Sequence, residues 1–311
     1  MNRRFWLHQL GVALGMGLLT MPLILYGKLS LQRPPQTALE RTLFQGVHYR
    51  REFRATPRPM LVHILTIDLT APGIKLLVTP EHPSMDGATI ARTTSQFLEE
   101  FKLQVAVNAS YFTPFSEETP WNYYPRTGDR VSPIGRTIAN GISYATLNLN
   151  WVVLCISDRQ RAAIQATGEC PTRTTQAIAG NTLLLQQGQP VPTDPQIADR
   201  HRPYPRLSAA VNRTGTTLWL VAIDGKQAFY SEGATLPELT AILQELQVDA
   251  AINLDGGGST TLVTTTPTGT AVLNAPIHAK IPMWERPVAN HLGIYALPQI
   301  SSELPALPRQ P

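Results

Sequence analysis

The stretch LSAAVNRTGTTLWLVAIDGK, residues 207–226, constrains the fold more than any other part of the chain. Two apolar runs, the second carrying β-branched and aromatic residues, flank a Thr-Gly turn, which is the pattern of an antiparallel hairpin. Asp224-Gly225 stands at its far end. MLVHILTIDL and IKLLVTP, residues 60–69 and 74–80, lie either side of an Ala-Pro-Gly turn and read as a second hairpin-like pair. Further strand signals fall in QVAVNASYF (104–112, ending at Asn108), GISYATLNLNWVVLCIS (141–157), AIAGNTLLLQQGQPV (177–191) and DAAINLD (249–255).

Helices are few. TTSQFLEEFKL places Phe97, Leu98 and Phe101 at helical spacing behind an N-cap at Thr94 or Ser95. LPELTAILQEL puts Leu236, Leu239, Ile242, Leu243 and Leu246 on one stripe. Strand and helix signals interleave without strict alternation and without an internal repeat. The expected fold is α+β: mixed, largely antiparallel sheets with a few packed helices, forming a single large domain. Residues 113–132, rich in proline and aromatics, form a long connection of the kind that often carries function.

The N-terminus reads differently. Two arginines in MNRR precede residues 5–26, which are apolar apart from His8, Gln9 and Thr20. That length suits a bilayer core, and the leading arginines place the remainder of the chain outside the cytoplasm. Residues 1–30 are therefore expected to be a signal peptide or an uncleaved anchor in the inner membrane, with the stretch before Pro34 lacking a small-residue cleavage site. Residues 31–45 then read as a linker, 46–298 as the domain and the proline-rich 299–311 as a flexible tail. In that compartment Cys155 and Cys170 are expected to pair. The formal charge of +4 is small and its basic residues are scattered, which disfavours a nucleic-acid partner.

The densest chemistry lies in INLDGGGSTTLV, residues 252–263. Asp255 emerges from a buried apolar run. Gly256, Gly257 and Gly258 let backbone approach a ligand closely, and their N–H groups with the hydroxyls of Ser259, Thr260 and Thr261 suit an anion or a sugar hydroxyl. A tight turn with no ligand would use the same residues. His201, His278 and His291 have no metal spacing, and Ser259 lies in no nucleophile elbow, so neither a metal nor another cofactor is implied.

INLDGGGSTTLV together with RPVANHLGIY, VNASYF and LWLVAIDG resembles the phosphodiester glycosidase family, over roughly residues 105–295. The family includes an enzyme that removes N-acetylglucosamine from a phosphodiester, and bacterial exopolysaccharide-related proteins. Asn253, Asp255, Gly256, Gly257, Gly258, Ser259 and Thr260 match its signature, as do Asp224-Gly225, Arg286 and Asn290. Asn108, Tyr111 and Phe112 match an Asn-Gly-Gly-Tyr-Phe motif, with Ala109 and Ser110 where glycines are usual. Arg206 keeps the cation of an Arg-Thr step whose hydroxyl is lost at Leu207.

The resemblance implies hydrolysis of a sugar 1-phosphodiester in envelope glycans or glycolipids. On that reading Asp255 is the leading carboxylate, nucleophile or base, and Asp224 its partner; Arg206 and Arg286 hold the phosphate, and Asn108, Asn253 and the glycine turn bind sugar hydroxyls. A glycan-binding module without catalysis, and a metal-dependent phosphodiesterase, remain the alternatives.

Overall fold

The computed structural model describes residues 21, 23–145, 150–192, 197 and 200–299. Most of the anchor span at 5–26, and the tail beyond residue 299, lie outside the described residues. Among the described residues no helix is long and apolar enough to cross a membrane.

Three antiparallel sheets share one core. The largest has eight strands in the order Leu39–Phe44, Val47–Arg54, Met60–Asp68, Thr217–Ile223, Arg206–Val211, Ala250–Asn253, Thr182–Gln186 and Gln189–Pro190. The hairpin of residues 207–226 sits at its centre, with Ala209 opposite Leu220 and Arg206 opposite Ile223. A second sheet runs Gly269–Val272, Leu262–Thr266, Val105–Asn108, His291–Tyr295 and Lys75–Val78. The third has Ile142–Tyr144, Thr137–Ala139, Thr174–Gly180, Val152–Ser157 and Ala162–Gln165.

Alternation decides what each face meets. Leu218 and Leu220 point into the common core with Val105, Val107, Leu154, Ile178 and Ile252. Val221 and Ile223, one step out of phase, face helix Leu236–Glu245 through Leu239, Ile242 and Leu243. Ala106 likewise faces helix Thr94–Glu100 through Phe97 and Leu98. Side chains at period two thus serve both layers. The α+β expectation, largely antiparallel sheets carrying few helices, is met.

Three local expectations are corrected. Lys75–Val78 does not pair with Met60–Asp68; it joins His291–Tyr295, while Met60–Asp68 pairs with Val47–Arg54 and Thr217–Ile223. The Ala-Pro-Gly step turns the chain from one sheet into another. Leu39–Phe44, inside the span read as linker, is an edge strand paired with Val47–Arg54. The first helix is capped by Thr93, whose hydroxyl accepts from Gln96 N while the Gln96 side chain accepts from Thr93 N. The expected disulfide is formed: Cys155 and Cys170 are bonded, closing a sequence separation of 15.

Candidate active site

The site is built where the central strand Ala250–Asn253 ends. Asp255 N donates to Ala109 O at 3.0 Å, and Asn108 Nδ2 donates to Asp255 O at 2.7 Å. Asn108 Oδ1 accepts from Thr261 N at 3.0 Å, so one buried amide pins both ends of the glycine turn. Within that turn Gly257 has φ +62, where a side chain is strained, and a Cβ there would also strike the Tyr204 ring. At Gly258 a Cβ would fall on the guanidinium of Arg286. The glycines therefore admit two neighbouring side chains as closely as any ligand.

A cavity of about 440 Å³ opens beside the turn. Asp255, Gly256, Ser259, Asn253, Arg206 and Arg286 line it, with Tyr111, Phe112, Phe115, Glu117, Asn181, Tyr204 and Lys226. Asp255 is buried, and desolvation raises its carboxyl from 3.8 to about 6, against a hydrogen bond from Ser259 and the charges of Arg286 and Lys226. Arg286 Nη1 donates to Ser259 Oγ at 3.1 Å, Nη2 pairs with Glu117, and the guanidinium lies 4.6 Å from the centre of the Phe115 ring. Burial pushes Glu117 up, but hydrogen bonding to His278 and the charge of Arg286 outweigh it and hold the carboxyl at about 2. Two carboxylates thus occupy one cavity with different proton affinities: Glu117 is held at about 2 and Asp255 at about 6.

Arg206 reaches the cavity while Nε donates to Ala234 O at 2.9 Å and Nη2 to Arg202 O at 3.1 Å. Lys226 has no carboxylate within ion-pairing distance among the described residues, and its Nζ lies 4.2 Å above the Tyr204 ring. Its backbone is left-handed, φ 58. Asn253 Nδ2 donates to Tyr111 Oη at 3.0 Å and to Asn181 Oδ1 at 2.9 Å, and its buried Oδ1 has no partner among the described residues.

Several residues expected at the site lie behind it. Asn108 is buried and does not line the cavity; nor do Gly257, Gly258 and Thr260, whose carbonyl accepts from Asn274 Nδ2. Asp224, expected beside Asp255, is also outside the lining. Its Oδ1 accepts from Ala275 N at 2.8 Å and Asn274 Nδ2 at 3.0 Å, and Oδ2 meets His63 Nε2 at 3.0 Å. Both of its carboxylate oxygens are engaged inside the protein. Ala109 and Ser110 are accommodated: Ala109 is fully buried, and Ser110 Oγ accepts from Ala179 N at 2.9 Å.

Sequence reasoning does not single out Lys226, Tyr204, Glu117 or Asn181 for the site. Lys226 follows the noted Asp-Gly step, and Glu117 lies in the long 113–132 connection, where a short hairpin of Ser116–Glu117 with Tyr123–Tyr124 carries it back over the cavity. Tyr204 and Asn181 give no signal.

A family described as phosphodiester glycosidase matches residues 101–295. No curated protein matches in sequence. Among solved structures, the zebrafish N-acetylglucosamine-1-phosphodiester alpha-N-acetylglucosaminidase catalytic domain, auto-inhibited by its pro-peptide, aligns with a TM-score of 0.60 at 20% identity, covering 85% of this chain and 86% of that one. A hypothetical protein from Synechocystis aligns with a TM-score of 0.54 at 18% identity, over 85% of this chain and 64% of its own length. These likenesses show a shared fold.

Proposed function

The chain belongs to the phosphodiester glycosidase family, and from that premise we propose that it hydrolyses the glycosidic bond of a sugar 1-phosphodiester in an envelope glycan or glycolipid outside the cytoplasm. The Cys155–Cys170 disulfide supports that compartment. A departing phosphate monoester is weakly basic and needs little protonation, so the barrier lies in forming an oxocarbenium-like centre beside a phosphate. One well-placed carboxylate and a cationic wall suit that barrier.

Asp255 is the reacting carboxylate. With its carboxyl raised to about 6 it is ionised at neutral pH yet more basic than an ordinary aspartate. It accepts a proton from the attacking water, or attacks the anomeric carbon itself to form a glycosyl ester that water then hydrolyses; in either case the carbon–oxygen bond to phosphate breaks and the phosphate leaves with the electron pair. Lys226, with Arg206 beside it, meets the phosphate. Asn253 donates to Tyr111 and Asn181 and so orients two side chains that face the sugar. Arg286 is held by Glu117 and Ser259 and favours ionised Asp255 through its charge, as a positioning residue. Asp224 is a positioning residue as well: its buried network fixes the turn that aims Lys226.

The observation carrying this reading is a buried Asp255 carboxyl group in a cavity that also holds Lys226, Arg206 and Arg286. The test is release of free sugar from a model sugar 1-phosphodiester in oxygen-labelled water, for the wild type and Asp255→Asn. Label in the sugar, with turnover lost in the variant, supports it. Label in the phosphate would mean P–O cleavage, and binding without release by the wild type would make the chain a binding module.

A further inference from the structure

The turn carrying Lys226 is also where the N-terminal segment comes to rest. Arg33 Nη1 donates to Gln227 Oε1 at 3.3 Å, and its guanidinium lies 4.5 Å from the centre of the Tyr230 ring. Tyr230 Oη donates to Pro34 O at 2.8 Å, and Gln36 Nε2 donates to Phe229 O and Tyr230 O at 3.2 and 2.8 Å. Helical residues 23–31 end just before this latch. A wall of the cavity and the end of the N-terminal helix are therefore only a few residues apart.

Two side chains here are out of place for a surface that meets only water. Phe229 is 91% exposed and has φ 64, an unfavourable backbone for a bulky residue that no packing of its ring offsets. Leu31, two residues before Arg33, is 88% exposed. Leu23, Ile24 and Leu25 on the adjoining helix are exposed too, with Lys28 among them. The chain leading into them, residues 5–26, is an apolar run of bilayer length. An aromatic and aliphatic rim next to cations, at the foot of such a run, has the composition of an interfacial surface.

We propose that Phe229 and Leu31 enter the lipid headgroup region beside the N-terminal segment, so that the cavity works at the membrane surface and its substrate is a lipid-linked sugar phosphodiester, the lipid being attached through the phosphate. The substrate class rests on the phosphodiester glycosidase reading; the membrane contact does not. Lys226 would meet the phosphate at headgroup height, with the sugar inside the cavity and the lipid tail remaining in the bilayer.

The test uses the full chain in phospholipid vesicles with two substrates sharing one sugar and one phosphate, a long-chain lipid diester in the bilayer and a water-soluble short-chain diester. Phe229→Ser is expected to lower turnover of the bilayer diester about tenfold and leave the soluble one unchanged, and Phe229→Trp to restore it. The indole fluorescence gained in that second variant is expected to be quenched by brominated lipids. Equal loss on both substrates, or no loss on either, would overturn the proposal. Should the wild type hydrolyse neither diester, the glycosidase reading fails by itself and the quenching decides the surface: quenched supports membrane contact, unquenched refutes it.

Discussion

Replacing Asp255 by Asn should stabilise the protein at neutral pH while removing its activity. Desolvation raises the Asp255 carboxyl from 3.8 to about 6 in the folded chain, even with Ser259, Arg286 and Lys226 favouring the anion. The folded state therefore binds this proton more tightly than the unfolded state does. Stability from that difference is complete below the unfolded value and is lost as pH rises through the folded one. At roughly 1.36 kcal/mol per pKa unit, ionised Asp255 costs the fold about 3 kcal/mol above the transition. Asn has the same shape and cannot ionise. Asp255→Asn should thus exceed wild type by about 3 kcal/mol near pH 7.5 and by only about 1 kcal/mol near pH 4.5. Urea unfolding of both proteins at the two pH values measures the difference directly. A gain independent of pH, or a variant less stable than wild type near pH 7.5, would refute the claim that this carboxylate is ionised against its surroundings.

The same geometry sets three further outcomes. Gly258→Ala puts a methyl group where the Arg286 guanidinium lies and 2.9 Å from Ile277 O; sugar release should fall more than tenfold and the melting temperature should fall with it, because a buried, ion-paired side chain and a backbone carbonyl must both shift. Lys226→Ala should raise KM for a phosphodiester and shift the acidic limb of the pH–rate profile upward, since a charge that favours ionised Asp255 is gone; an unmoved limb would exclude Lys226 from the site. Replacing Cys155 and Cys170 together by serine should lower stability by about 3 kcal/mol, the loop-closure value for a separation of 15, as read by denaturant unfolding with midpoint and slope both fitted, the slope m rising because the unfolded chain is no longer cross-linked.

The fold is legible in the sequence where neighbours along the chain are neighbours in space. The hairpin through residues 207–226 and the two capped helices are local, and period-two and 3.6-residue patterns announce them. Lys75–Val78 escapes such reading because its partner, His291–Tyr295, is more than 200 residues away, and only the packed core selects between sheets. At the site, Asp255 and its glycines stand out because acid, glycine and hydroxyl cluster in one stretch. What sequence does not show is which way a polar side chain turns at the end of a strand. Asn108 turns back to clamp the Asp255 carbonyl, and Asp224 turns back onto His63 and Asn274, whereas Asn253 turns into the cavity. Lys226 enters through a left-handed backbone at a nonglycine residue, which no propensity favours. Glu117 arrives only once its loop folds back onto Arg286.

The most direct measurement is the pH dependence of kcat/KM for sugar release from a sugar 1-phosphodiester. A rise through an apparent pKa of about 6 to a plateau at neutral pH, abolished in Asp255→Asn, is the expected result. A flat profile between about pH 5 and 8, or an Asp255→Asn variant within a few-fold of wild type, would contradict the central claim that the buried Asp255 carboxylate performs the chemistry.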